Sequence, residues 1–97
     1  MKPLVFRQQA VTDLNAIWNY TYSTWSEIQA DKYYFQIEAC CNEISKRPFV
    51  GKPYEEISSG LRGITVGKHI VFYQLFDSEI HILRILHNRM DIKAQLE

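Results

Sequence analysis

Ninety-seven residues with 46% apolar and 13% aromatic side chains suffice for one small domain with its own core. This excludes a disordered chain and one that needs disulfides or a metal to hold together. Eleven Lys and Arg against eleven Asp and Glu give zero formal charge. That speaks against a domain that binds by covering many phosphates, while leaving room for a local basic patch.

The start, Met1 to Arg7, has too short an apolar run for a signal peptide. No run approaches a membrane span, so a cytoplasmic protein is expected. Cys40 and Cys41 are adjacent and read as thiols in a reducing compartment. There is no CxxC or Cys/His zinc spacing, and neither metal nor other cofactor is expected.

Residues 3–7 read as a first strand, with Pro3 tolerated at its start. Residues 10–25 read as a helix. Ala10, Leu14, Ile17 and Thr21 form one stripe; Val11, Trp18, Tyr22 and Trp25 form a second, about 80° round the axis. So wide an arc implies either a sheet on one side and a helix on the other, or a part left for a partner.

Ser26 then starts a second helix. Its hydroxyl is placed to cap the amide of Gln29, Gln29 to reach back, and Trp25 and Ala30 to close a hydrophobic staple. The two helices therefore form a hairpin. The second runs over 27–46 with Ala30, Tyr33, Tyr34, Ile37, Cys40, Cys41 and Ile44 on its core face. The two cysteines lie at the edges of that face, about 100° apart on an ideal helix, which disfavours a bond between them. Ile28, Phe35 and Ala39 cluster on the opposite face, either covered by the chain's tail or left as a contact site. Pro48 ends the helix.

Residues 47–60 read as irregular, punctuated by Pro48, Gly51, Pro53 and Gly60. Gly51-Lys52 lacks the upstream glycine and following Ser or Thr of a phosphate loop. Three strands follow: 61–66, a Gly67-Lys68 turn, 69–76, an Asp77-Ser78 turn, and 79–87. Residues 90–96 read as a short helix or tail packing through Met90, Ile92 and Leu96. This order predicts a single α+β domain over 1–97: an N-terminal strand, a helical hairpin packed on one face of a mainly antiparallel sheet, and a short C-terminal helix. The other sheet face is expected to be partly exposed and marked by Arg62, Thr65, His69, Gln74, His81, Arg84 and His87.

Several blocks carry a resemblance. They are Ala10, Asp13-Leu14 and Ile17-Trp18 in the first helix, Tyr33 in the second, and Pro48 and Gly51 in the linker. In the strands they are Gly60-Leu61-Arg62, the run from Gly67 to Tyr73, and the run from Arg84 to Asp91. At this spacing the chain resembles, over nearly its whole length, the ParE toxins of bacterial type II toxin–antitoxin systems in the RelE/ParE superfamily. The resemblance implies a non-enzymatic toxin that poisons DNA gyrase by binding it. It also implies a cognate, ParD-like antitoxin from the same operon, whose flexible C-terminal arm folds on the toxin. Nucleic acid would be reached only through antitoxin or gyrase. Leu14, Trp18, Tyr22, Trp25 and Phe35 are the expected antitoxin contacts. Arg62, His69, Arg84, His87, Asn88 and Arg89 are the expected target contacts.

Two other readings stand beside this one. RelE-like relatives share the fold but cleave messenger RNA on the ribosome, which needs a base, an acid and cations for the phosphate. Arg62, His69, Arg84, His87 and Arg89 could supply them as one basic cluster. Against this, Asn88 stands where some nuclease members carry an aromatic, and no tyrosine follows Tyr73. The third reading is a relative that binds antitoxin without being toxic. Plain structural roles also remain: Arg84 could pair with an acidic neighbour or bridge the tail, and the run from His87 to Arg89 could cap the strand, with Asp91 beside Arg89. His81 and His87 are too far apart along a strand to share a metal.

Overall fold

A computed structural model describes residues 2–96. In chain order the elements are β1 (Leu4–Phe6), α1 (Gln8–Thr24), α2 (Glu27–Lys46), β2 (Lys52–Pro53), β3 (Leu61–Val66), β4 (His69–Leu75), β5 (Ile80–His87) and α3 (Ile92–Leu96). The sheet order is β1-β5-β4-β3-β2. β1 lies parallel to β5, and every other neighbouring pair is antiparallel. This is the expected α+β fold, with the hairpin of α1 and α2 on one face.

Local chemistry sets most of these boundaries. β1 is extended at both ends by bonds to β5, from Ile80 N–H to the Pro3 carbonyl and from Arg7 N–H to the Ile82 carbonyl. Ser26 caps α2, its Oγ accepting the Gln29 amide at 3.0 Å. Among the described residues the reciprocal bond from Ser26 to the Gln29 side chain does not form, and Gln29 lines a groove beside the cap. Nor is Trp25 stapled down: it is 74% exposed.

The hairpin buries Ala10, Ile37, Cys41 and Ile44 against Val71, Tyr73, Ile80, Ile82 and Ile85 of the sheet. Cys40 and Cys41 remain free thiols beside this core, as their small apolar role requires. Tyr73 also fastens the linker after α2. Its hydroxyl donates to the Pro48 carbonyl and accepts the Gly51 amide, both at 2.8 Å. Gly51 cannot be larger, since a Cβ there would lie 2.6 Å from the Tyr73 hydroxyl. The linker is less irregular than its composition suggests. Lys52 and Pro53 pair with Gly63 and Arg62 as an edge strand, a place where proline's missing N–H costs no ladder bond.

The second sheet face departs from expectation. Phe72 lies opposite Arg84 but Tyr73 lies opposite Ile82, so Leu83 is an extra residue in β5. Such a bulge reverses the in–out alternation of everything after it. Ile82 and Ile85, three apart, therefore both face the hairpin, and His87 follows Ile85. His69, opposite His87, and Arg62, opposite Tyr73, share that hairpin side. Of the polar residues expected to mark an open outer face, Arg62, His69 and His87 are thus on the other side.

Nor is the outer face open at its centre. Leu61, Ile70, Phe72 and Leu86 are buried there beneath Tyr54, Ile57, Leu83, Ile92 and Leu96. Ile92 and Leu96 hold the tail as expected, whereas Met90 stays exposed. Because α3 goes to this face, it leaves uncovered the far side of α2, where Ile28 is 81% and Phe35 61% exposed.

Candidate functional site

Where the turn end of the helical hairpin meets the ends of β3, β4 and β5, the surface sinks into a groove of about 700 Å³. Ile17, Tyr20 and Trp25 of the α1 side form its apolar wall, with His69, Ile85 and His87 across from them and Lys68 and Arg89 beside them. Gly67 makes this meeting possible. It holds φ +57° in the β3–β4 turn, and a Cβ there would stand 2.8 Å from the Tyr33 ring.

Hydrogen-bond counting fixes the state of the two histidines. Tyr33 Oη lies 2.9 Å from the Val66 carbonyl and 2.6 Å from His69 Nδ1, and it also receives the Lys68 amide at 3.3 Å. A carbonyl only accepts, so the tyrosine proton goes to Val66 and His69 donates through Nδ1, which leaves Nε2 as an acceptor. His87 Nδ1 accepts the Arg89 amide at 3.1 Å, so neutral His87 carries its proton on Nε2. The two rings meet edge to face at 5.2 Å. Burial, and then the charge of a protonated His87, lower the His69 pKa below its usual value, with Asp13 partly opposing. One end of the groove thus offers an acceptor and a donor, flanked by two exposed cations, Lys68 and Arg89, that make no ion pair among the described residues.

A sequence profile described as "ParE toxin of type II toxin-antitoxin system, parDE" matches residues 4–92. The chain belongs to the ParE toxin family. It is 34% identical over 96 residues to Toxin ParE1 of Caulobacter vibrioides, covering 99% of each chain. It is 32% identical over 88 residues to Toxin ParE1 of Mycobacterium tuberculosis, covering 90% of each. A solved structure titled "Chromosomal ParDE TA system from P. aeruginosa" aligns with a TM-score of 0.78 at 22% identity, over 90% of this chain and 96% of that one. The toxin–antitoxin complex RelBE2 of M. tuberculosis aligns with a TM-score of 0.60 at 21% identity, over 89% and 96%. These two structural likenesses show that the fold is shared.

On this ParE-family fold the six residues expected to meet a target do not form one cluster. His69, His87 and Arg89 line the groove. Asn88 lies next to it, its amide bonded to the Lys68 carbonyl at 2.8 Å. Arg62 is four residues along β4 from His69, about 13 Å away. It donates to the Phe49 and Gly51 carbonyls at 3.2 and 2.6 Å and lies over the Phe49 ring. Arg84 is committed elsewhere. Its guanidinium makes a two-point pair with Asp13 at 2.8 and 3.0 Å and reaches the Gln95 carbonyl at 3.3 Å. The pair both meets an acidic neighbour and bridges the tail, and the hydrogen bond to Asp13 raises the Arg84 pKa further. Asp13 also accepts the Ile85 amide at 2.9 Å, filling the edge of β5 where β1 has ended.

The five expected antitoxin contacts spread over three depressions of the toxin surface. Leu14 packs on the core beside a cleft of about 220 Å³. Trp18 and Phe35 line a second depression between the helices, with Tyr22 stacked on Trp18. Trp25 lines the main groove with the histidines. Asp13, Tyr33 and Lys68 also line that groove, yet carry no sequence signal for it. Their place depends on the β3–β4 turn abutting the helix pair, which no local pattern encodes.

No helix among the described residues is long and apolar enough to cross a membrane, and no metal-holding group of three or more His, Cys, Asp or Glu occurs among them.

Proposed function

We propose that this toxin arrests growth in the cytoplasm by binding DNA gyrase, and that a ParD-like antitoxin silences it by laying its arm over the helical hairpin. The observation that carries the reading is the exposed apolar surface of the hairpin. Tyr20, Tyr22, Trp25, Ile28 and Phe35 all stay exposed on the helices and turn of one hairpin. Large aromatic side chains left open in this way supply the anchors of protein–protein contacts. The surface runs into the main groove, which Trp25 lines together with His87 and Arg89, so an arm along the hairpin would also cover these expected target contacts. Dispersal of the cations supports binding over cleavage: Arg84 is neutralised by Asp13 and Arg62 is spent on the linker.

The His69–His87 pair gives a second reading its foothold, since an acceptor and a donor side by side are what RNA cleavage by a RelE-type endonuclease would use. The test of the toxin–antitoxin reading is growth after induction of the chain, alone and with the antitoxin from the same operon. Arrest that the antitoxin relieves is expected. Unimpaired growth with soluble, folded toxin would overturn the assignment in favour of a non-toxic relative.

A further inference from the structure

Between α1 and α2 lies a second depression, of about 430 Å³, separate from the main groove and lined by Asn15, Trp18, Asn19, Asp31, Tyr34 and Phe35. Its composition is specific. Three aromatic rings surround one carboxylate. Tyr22 stacks against Trp18 at 5.2 Å and 14°, which backs the indole and holds it as a flat wall. Tyr34 and Phe35 meet edge to face at 6.0 Å opposite it. Asp31 Oδ1 accepts the Trp18 indole N–H at 3.0 Å, which fixes the carboxylate at the edge of the ring. Asp31 Oδ2 has no hydrogen-bond partner, and Asp31 no salt bridge, among the described residues.

Aromatic faces carry negative potential and attract cations, most strongly at tryptophan. A carboxylate at the ring edge adds to that field. A neutral apolar occupant would strip water from Asp31 and return nothing, and an acidic one would be repelled. A planar guanidinium suits both parts of the site, stacking on the indole while donating to Oδ2.

We infer that this depression is a cation pocket, and that its occupant is an arginine side chain projected by the antitoxin arm. The identity of the occupant rests on the toxin–antitoxin reading above; the preference for a cation does not. The pocket is the acidic, aromatic counterpart of the cationic groove on the neighbouring face of α1. An arm crossing both faces is therefore read in register, with arginine in the pocket and an acidic side chain facing Lys68 in the groove.

The test is titration of the purified full chain with N-acetyl-arginine amide and with its neutral isostere N-acetyl-citrulline amide, following the Trp18 indole N–H resonance. Saturable shifts with arginine amide are expected. Response should be roughly tenfold weaker with citrulline amide, and with arginine amide on Asp31→Asn, which keeps an acceptor for the indole. Equal responses to both probes, or no loss in Asp31→Asn, would overturn the cation pocket. A Trp18 signal that shifts with toxin concentration alone would give the pocket to a second copy and overturn the assignment to the arm.

In the complex, Asp31→Asn should weaken antitoxin binding roughly tenfold while leaving growth arrest by the toxin intact. Unchanged affinity would remove the arm as occupant but leave the proposed function standing. Failure of the unaltered toxin to bind any antitoxin would defeat the proposed function and the arm together.

Discussion

Removing the Asp13 carboxylate is the perturbation whose cost the structure defines most closely. Asp13 accepts three hydrogen bonds: two from Arg84 at 2.8 and 3.0 Å, and one from the Ile85 amide at 2.9 Å. The paired side chains are only 16% and 15% exposed. Asp13→Ala leaves a guanidinium with little water and one long bond to Gln95, and strands a strand-edge N–H. Breaking a buried pair from one side costs about 3–5 kcal/mol. The remaining exposure and the Gln95 contact argue for the lower end, about 3 kcal/mol. For a domain of this size that is a large share of about 5–15 kcal/mol and lowers Tm by about 12–24 °C. The assay is urea unfolding followed by circular dichroism and tryptophan fluorescence. Arg84→Met and the double variant complete a cycle, with a coupling of about 2 kcal/mol expected. A loss under about 1 kcal/mol for Asp13→Ala, or simple additivity in the cycle, would refute the pair as the clamp of α1 on β5.

Other consequences are as direct. His69 holds a lowered pKa when folded, so the unfolded chain binds more protons in the window below pH 6.5. Its share of stability is therefore complete above that pH and falls away as pH drops through the folded pKa; His69→Asn should flatten this slope in unfolding curves taken between pH 5 and 8. Gly67→Ala forces a side chain into φ +57° and against the Tyr33 ring, and should cost about 2 kcal/mol in chemical denaturation. Burial pushes the Cys40 thiol up to about 11 and that of Cys41 up to about 12. Native protein should therefore resist iodoacetamide at pH 8, where urea-unfolded protein reacts quickly. Arg89→Ala should weaken growth arrest while the antitoxin still binds, and Trp18→Ala should weaken antitoxin binding with the fold intact by circular dichroism; arrest unchanged in the first would show that Arg89 does not contact the target.

What was legible in the chain follows from how local each signal is. The alternation of Ile70 and Phe72 against Val71 and Tyr73, the glycine-first turn at Gly67 and the Ser26 cap are each decided within a few residues, and all three hold. β2 is two residues long and contains Pro53, so it leaves no period to detect. The bulge at Leu83 reads as an apolar run on both faces, and only its pairing with β4 reveals that the alternation has flipped. That flip, invisible locally, decides which face His87 joins. The role of Arg84 turned on Asp13, 71 residues earlier in the chain. Half of the candidate groove was legible for the same reason: His69, His87 and Arg89 belong to one strand region, whereas Tyr33 and Trp25 arrive from the helices by tertiary packing alone.

The central claim, a toxin that acts by binding gyrase, meets its most direct test in two parallel reactions with purified toxin, each repeated with antitoxin. One is supercoiling of plasmid DNA by gyrase, scored also for trapped cleaved DNA. The other is ribosome-dependent cleavage of a translated message. The account predicts inhibited supercoiling with trapped breaks, relieved by antitoxin, and an intact message. Message cleavage with gyrase unaffected would contradict it and make His69 and His87 the acid–base pair of a nuclease.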